Sequence, residues 1–271
     1  MAYQSYHDQN LLFSYIHSSN GLAATPKAIS RWKLIYIKEG CGTYTVNGKV
    51  YYPQKNDLII VRAQDHHCLQ VEPGVRFERY FVYFYENMMQ SPICQRLPAD
   101  VAVLHCGGSP VILSLFQKLH SYMDQFENDI YKTLVIHTAE EILCQALLLA
   151  KTAEKDSGYT ENAIVAAAIH YIKSNITQPL QVADLTRHLH ISKGYLDMLF
   201  RQHLKISPKK FILTQKLVLA RRDLLAGAKA TEVSARYGFQ DYSLFYRQYI
   251  GYWGHKPSQA TSIPDPQETD L

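Results

Sequence analysis

Two stretches decide the fold. The first runs from Val182-Ala183-Asp184-Leu185 through His190-Ile191-Ser192 to Leu196 and Leu199-Phe200. The second runs from Val233-Ser234-Ala235 through Gly238-Phe239 and Asp241 to Leu244-Phe245 and Tyr249. Each reads as a short helix, a tight turn and an amphipathic second helix, which opens on Ser192 or Asp241, residue types suited to cap it. Ala183 and Ala235 are the expected points of close helix crossing. A helix-turn-helix has this pattern: a first helix braces a second, whose N-terminal half enters the major groove of DNA. The helical stretch 208–225 between the copies is ~27 Å long at ~1.5 Å per residue. That is close to the ~34 Å turn of B-DNA, so two recognition helices are expected to reach successive major grooves.

Working outward, helices are expected at 163–174, 180–189, 192–204, 208–225, 230–237 and 242–250. The polar stretch 153–159 reads as a linker, and the acidic, Pro-rich tail 261–271 as disordered. Charge follows the same division. Residues 160–260 hold 14 Lys and Arg against 6 Asp and Glu, whereas residues 1–159 hold 14 against 15. A basic block joined to a neutral one suggests a polyanion binder with a second module.

The first half has a different texture. Trp32–Ile37, Thr43–Val46, Lys49–Tyr52, Leu58–Val61, His67–Val71 and Arg76–Tyr85 read as short strands, with Asn47-Gly48 as a strong hairpin signal. Regular turns between short strands predict an antiparallel barrel or sandwich. After Pro110, apolar residues recur at helical spacing over 111–126 and 129–150, with Ile142, Leu143, Ala146 and Leu149 on one face. The predicted fold class is therefore α+β: a β-barrel with two following helices, then an all-α part with two helix-turn-helix units. The expected domains are the barrel over 1–109, to which the resemblance given below assigns ligand sensing, 110–152 for dimerisation, the linker, 160–260 for DNA binding, and the tail.

Other function classes find little support. The five cysteines, at 41, 68, 94, 106 and 144, form no CxxC pair and read as free thiols of a reducing cytosol. The N-terminus is polar and unlike a signal peptide, and the apolar stretch 142–150 is broken by Gln145 and too short to span a bilayer. A cytoplasmic location without membrane contact is expected. His66 and His67, adjacent on a strand, must point to opposite faces. With Glu72 and His105 they do not make a facial metal site, so neither metal nor cofactor is expected. No Ser-His-Asp set, P-loop or GxGxxG appears, and the chain is read as not an enzyme.

Residues 160–260 resemble the DNA-binding domain of the AraC/XylS family. The resemblance is carried by Pro179-Leu180, Leu185, Ser192, Tyr195-Leu196, Leu199-Phe200, Ser207-Pro208, Phe211, Leu217, Ala220 and Leu224-Leu225. It continues through Val233, Tyr237-Gly238-Phe239, Asp241, Ser243, Phe245, Arg247, Gly254 and Lys256-Pro257-Ser258. It implies double-stranded DNA contacts from Ser192, Lys193, Gly194, Tyr195, Asp197, Met198 and Arg201 in the first unit. In the second unit it implies them from Asp241, Tyr242, Ser243, Tyr246 and Arg247. Lys209 and Lys210 are expected on phosphate, and Arg247 is the strongest candidate for base readout. Some positions depart from the pattern. Asp197-Met198 replace basic or amide residues, Lys205 replaces the usual Gly, Lys216 the usual Arg, and Ile250-Gly251 a basic pair.

Residues 26–85 are similar to the cupin-like sensor domain of the same family, through Pro26, Gly40-Cys41-Gly42, Gly48, Asn56-Asp57, His67, Arg76 and Val82-Tyr83-Phe84. Asn56 stands where Gly is usual. The resemblance implies a pocket drawn from Thr25, Tyr36, His67, Leu69, Phe81 and Tyr83 for a small-molecule effector, a carbohydrate being one candidate. Thr25 and Leu69 replace the usual Arg and Tyr, so a different ligand is expected. The expectation is a ligand-responsive homodimeric activator that works with RNA polymerase. The alternatives are a regulator whose barrel only dimerises and a cupin enzyme with a fused helical domain.

Overall fold

The computed structural model describes residues 2–8, 10–24, 27–107, 109–152 and 162–261. The expected linker and nearly all of the expected tail lie outside the described residues. So does Thr25.

Among the described residues, eleven strands form the first part: β1 (Ala2–His7), β2 (Leu12–Ser18), β3 (Leu22–Ala23), β4 (Lys27–Ala28), β5 (Trp32–Glu39), β6 (Thr43–Val46), β7 (Lys49–Tyr51), β8 (Asp57–Val61), β9 (His66–Val71), β10 (Phe77–Phe84) and β11 (Val103–His105). One sheet has the order β1-β2-β10-β5-β8-β11. The other has β3-β9-β6-β7, with β4 also pairing β9. These pairings are all antiparallel. Alternation along the strands sorts side chains to two faces. Leu12, Ile16, Ile35, Ile37, Ile59, Phe81 and Tyr83 of the first sheet meet Tyr44, Val46, Leu69 and Val71 of the second in an inner core. The Asn47-Gly48 turn has positive φ at both residues, 51° and 84°, the twist that suits a two-residue hairpin.

Strands β1 and β2 were not anticipated. Their register joins Tyr6 to Phe13, and β2 then lies along β10, so Ala2–His7 and Leu12–Ser18 extend the sheet.

After the short α1 (Ile93–Arg96), α2 (Pro110–Tyr122) and α3 (Asn128–Thr152) cover the outer face of the first sheet. Phe13, Trp32, Leu34, Tyr36, Tyr80 and Val82 face Phe116, Leu119, Val135, Ile142 and Leu143 in that core. By length and composition Asn128–Lys151 is apolar enough to cross a membrane; here Tyr131, Val135, Ala139, Ile142, Leu143 and Ala146 are buried against the sheet and α2.

The remaining helices are α4 (Ala163–Ser174), α5 (Val182–Leu189), α6 (Lys193–Leu204), α7 (Pro208–Leu225), α8 (Ala230–Arg236) and α9 (Tyr242–Trp253). They enclose a third core, from Val165, Leu185, Leu196, Phe200, Phe211, Leu217, Val233, Phe245, Tyr249 and Trp253. Ala28 of β4 belongs to this core as well. The molecule is thus layered: α2 and α3, first sheet, second sheet, then the C-terminal helices.

Candidate nucleic-acid interface and effector barrel

The two helix-turn-helix units share a backbone plan. Each turn has a residue with left-handed φ, His190 (54°) in the first and Gly238 (65°) in the second. Each recognition helix ends on another, Lys205 (60°) after α6 and Gly254 (75°) after α9. Glycine adopts this conformation without cost, whereas a side chain loses ~1 kcal/mol or more. The second unit therefore has the glycines and the first lacks them.

The caps fall where the sequence placed them. The Ser192 hydroxyl accepts from the Tyr195 amide at 3.2 Å, and the Asp241 carboxylate from the Leu244 amide at 2.6 Å. Helix α5 adds a reciprocal box, in which Gln181 N–H donates to Asp184 at 2.9 Å. The close-crossing residues need correction: Ala183 and Ala235 are exposed, while Leu185, Val233 and Ser234 are buried. The bracing helices turn Leu185, Val233 and Ser234, not the two alanines, to the core.

On α6, Lys193, Gly194, Tyr195, Met198 and Arg201 are exposed, with Tyr195 43% and Met198 50% accessible. Asp197 is half-buried and pairs with Arg201 one turn on, at 2.6 Å. That pair occupies the carboxylate within the helix and draws the guanidinium along it. On α9, Asp241, Tyr242, Ser243 and Arg247 are exposed and Tyr246 is half-exposed; Lys209 and Lys210 lie exposed in the first turn of α7. Lys216, at the usual Arg position, is buried and reaches the Gln178 carbonyl at 3.4 Å; burial lowers its pKa.

A buried network ties α7 to α8. The Asp223 carboxylate accepts from Arg236 at 2.6 Å and from Tyr237 at 2.8 Å, and also pairs Arg222. Burial raises the Asp223 pKa, but the bonds from Tyr237, Arg236 and Arg222 outweigh it and hold the carboxyl below its ordinary value. The bridging helix is thus clamped to the second unit's bracing helix.

The pocket residues expected by resemblance divide between two faces. Phe81, Tyr83 and Leu69 belong to the inner core, and His67 stacks on Tyr44 with ring centres 6.1 Å apart. Tyr36 does not join them. Its residue number has the parity of Trp32 and Leu34, so it points outward, its ring lies on Phe116, and its hydroxyl donates to Asn56 at 3.1 Å. Burial raises its pKa to about 12. His66 and His67 do point apart, His66 toward Phe211 of α7 at 5.8 Å. Among the described residues no group of three His, Cys, Asp or Glu is arranged to hold a metal ion.

Sequence reasoning did not foresee the seam between the second sheet and the C-terminal helices. The β8–β9 turn carries it. Asp65 is buried and accepts from Lys173 of α4 at 3.0 Å and from Asn47 at 2.6 Å. The Gln215 side chain of α7 donates to the Gln64 carbonyl at 2.9 Å, and the Tyr252 hydroxyl of α9 to the Ala28 carbonyl at 3.0 Å. Gly48 sits so close that a Cβ would lie 3.2 Å from Val165. Burial raises the Asp65 pKa, but the Lys173 charge and the Asn47 bond bring it below the ordinary carboxylate value. Burial alone lowers that of His66 to about 4, so this ring is neutral near pH 7. The signals were Asn47-Gly48 and the paired polar Gln64-Asp65, which sequence alone gave no partner.

Residues 185–262 match the model of a helix-turn-helix domain, and residues 15–137 that of an AraC-like ligand binding domain. The chain is 23% identical over 249 residues to the HTH-type transcriptional regulator YfiF of Bacillus subtilis, covering 86% of this chain and 77% of the relative. It is 24% identical over 249 residues to the HTH-type transcriptional regulator YidL of Escherichia coli, covering 90% and 80%. It is 20% identical over 226 residues to the lactose operon transcription activator of Staphylococcus xylosus, covering 79% and 77%. These matched domains and relatives are those of transcription regulators, not enzymes. Two helix-turn-helix units behind a β-rich ligand-binding domain make this chain a member of the AraC family of DNA-binding transcription regulators.

Proposed function

We propose that this protein is a cytoplasmic, homodimeric activator in which a small effector in the barrel sets the disposition of two recognition helices on promoter DNA. The observation that carries the reading is the seam. The barrel holds α4, α7 and α9 from behind, through Asp65–Lys173, Gln64–Gln215 and Ala28–Tyr252. The exposed residues of α6 and α9 are not among those contacts. A change in the second sheet on effector binding would reach α7, the helix that joins the two units, without covering either reading face. An effector with different affinity for two seam geometries shifts their populations.

In this reading α6 inserts through Ser192, Lys193, Gly194, Tyr195, Met198 and Arg201. The α9 helix inserts through Asp241, Tyr242, Ser243, Tyr246 and Arg247, and Lys209 and Lys210 hold phosphate. Residues 110–152 supply the dimer surface. Ile130 (48% accessible), Leu148 (57%) and Phe126 offer apolar area there. RNA polymerase is the expected partner of the bound dimer. The names of relatives such as the lactose operon transcription activator favour an activator that responds to a carbohydrate-related effector.

Gel shift of the full-length chain on its own promoter at two salt concentrations tests the reading. Binding that falls steeply with salt, and weakens on Arg247→Ala, is the expected result. Salt-insensitive or absent binding would sink it.

A further inference from the structure

The exposed face of α6 is apolar at its centre. Leu196, Leu199, Phe200 and Leu204 are buried in the helical core. At ~3.6 residues per turn, Met198 stands on the side of the helix opposite to them, with Gly194 and Tyr195 one turn before it. Met198 is 50% and Tyr195 43% accessible. A Cβ at Gly194 would meet nothing within 4 Å, so the backbone itself is open to approach there. Among the described residues, eight large hydrophobic side chains are exposed. Four of them, Val111, Phe126, Ile130 and Leu148, lie within residues 110–152, and Tyr52 stands apart. The other three, Tyr195, Met198 and Tyr242, are on the two recognition helices. Apolar exposure is therefore concentrated there rather than scattered.

The surroundings of Met198 fit a polyanion with an apolar spot. The Asp197 carboxylate and the Arg201 guanidinium beside it bond to each other at 2.6 Å, along the helix. What stands foremost is a thioether, which is at most a weak acceptor. Around it the charge is positive: Lys193 opens α6, and Lys209 and Lys210 are exposed in the first turn of α7. The groups that base pairs present in the major groove are donors and acceptors, except the C5-methyl of thymine.

We propose that Met198, with Tyr195 beside it, reads thymine methyl groups, so that the half-site taken by α6 is specified by apolar contact. The inference rests on the proposed insertion of α6 into the major groove and specifies what that helix selects. A cytosine at the same place presents an amino donor and no methyl, and the thioether would desolvate that donor without replacing its partner. Burying one methyl-sized group against Met198 corresponds to about four-fold in affinity. The two units then read by different chemistry, α6 through methyl contact and α9 through the Arg247 guanidinium.

The test uses the full-length chain and its own promoter fragment in two forms, one with thymine and one with uracil throughout. Uracil keeps the base pairs and the phosphates and removes only the methyl. Affinity is measured by fluorescence anisotropy at two salt concentrations. Wild type is expected to bind the uracil form more weakly, by about four-fold for each methyl in contact. In Met198→Ala the preference should shrink by about that factor, whereas Met198→Leu, which keeps the apolar volume, should retain it. Met198 is exposed, so an unchanged Tm is expected in both variants. Single thymine-to-uracil replacements along the fragment should then locate a position where the methyl matters to wild type and not to Met198→Ala. Equal binding of the two forms by wild type overturns the proposal. So does a preference of the same size in Met198→Ala, which assigns the effect to DNA shape or to other side chains. Salt-sensitive binding without methyl preference removes this inference and leaves the regulator standing. Absent or salt-insensitive binding of both forms removes the two together.

Discussion

At the scale of the residue, four left-handed positions distinguish the two DNA-binding units. His190 and Lys205 pay a conformational cost that Gly238 and Gly254 avoid. Lys205 is exposed, so Lys205→Gly is expected to stabilise the chain by about 1 kcal/mol, read as a higher urea midpoint at unchanged slope. Arg247→Ala is expected to cost about 1–3 kcal/mol of binding and to relax preference at a single base pair. Lys209→Ala and Lys210→Ala should instead weaken all sequences alike and each reduce the salt slope by about 1, measured by fluorescence anisotropy over a salt series. The caps Ser192 and Asp241 were legible because capping is local chemistry between a side chain and an amide three residues on. The face taken by Tyr36 was not, because resemblance supplies a position but not which side of a strand is covered by α2. Ala183 and Ala235 misled for a similar reason: a small residue permits a close crossing but does not require one.

At the scale of the element, the seam is the feature with the clearest chemistry. Breaking its ion pair leaves Asp65 buried without its cation. Lys173 is 34% accessible on its side chain, so the cost is moderated by water, to about 1–3 kcal/mol. Lys173→Met is therefore expected to split a single calorimetric transition into two, for barrel and DNA-binding helices. Acid should do the same. His66, with a pKa lowered to about 4, binds its proton later in the folded chain than in the unfolded one. Its contribution is complete above the unfolded value of about 6.5 and is lost as pH falls toward 4. The depressed carboxyl of Asp65 has the same sign: its contribution is present above the unfolded value and is lost as pH falls through the folded one. Chemical unfolding monitored at pH 7, 5.5 and 4.5 checks this; a seam that tightens in acid would contradict it. The hairpin at Asn47-Gly48 and the 18-residue α7 were readable because turn chemistry and helical period are local. Strands β1 and β2 were not: with no strong turn signal before Leu12, their place is fixed by pairing with β10, far along the chain.

At the scale of the whole molecule, the two units are joined by one continuous helix whose Phe211 and Gln215 face the barrel. Such a connection fixes the phase of the two recognition helices. Inserting about five base pairs between half-sites should therefore abolish tight binding, whereas about ten should restore much of it, as measured by gel shift. Charge asymmetry and the double motif made this architecture visible in the sequence, since both survive averaging over a hundred residues. The order of layers did not, because no single residue encodes which surface a sheet will meet.

The position of the seam has a consequence for how such a protein can change over generations. Lys173, Gln215 and Tyr252 grip the barrel, while the exposed positions of α6 and α9 are spent elsewhere. Substitutions that retarget the protein to a new promoter can then accumulate without disturbing the grip. Changes inside the barrel can likewise arise without altering the promoter. The two heritable specificities are separable, and grafting α6 and α9 reading residues from one relative onto another should exchange the genes under control while leaving the inducing signal in place.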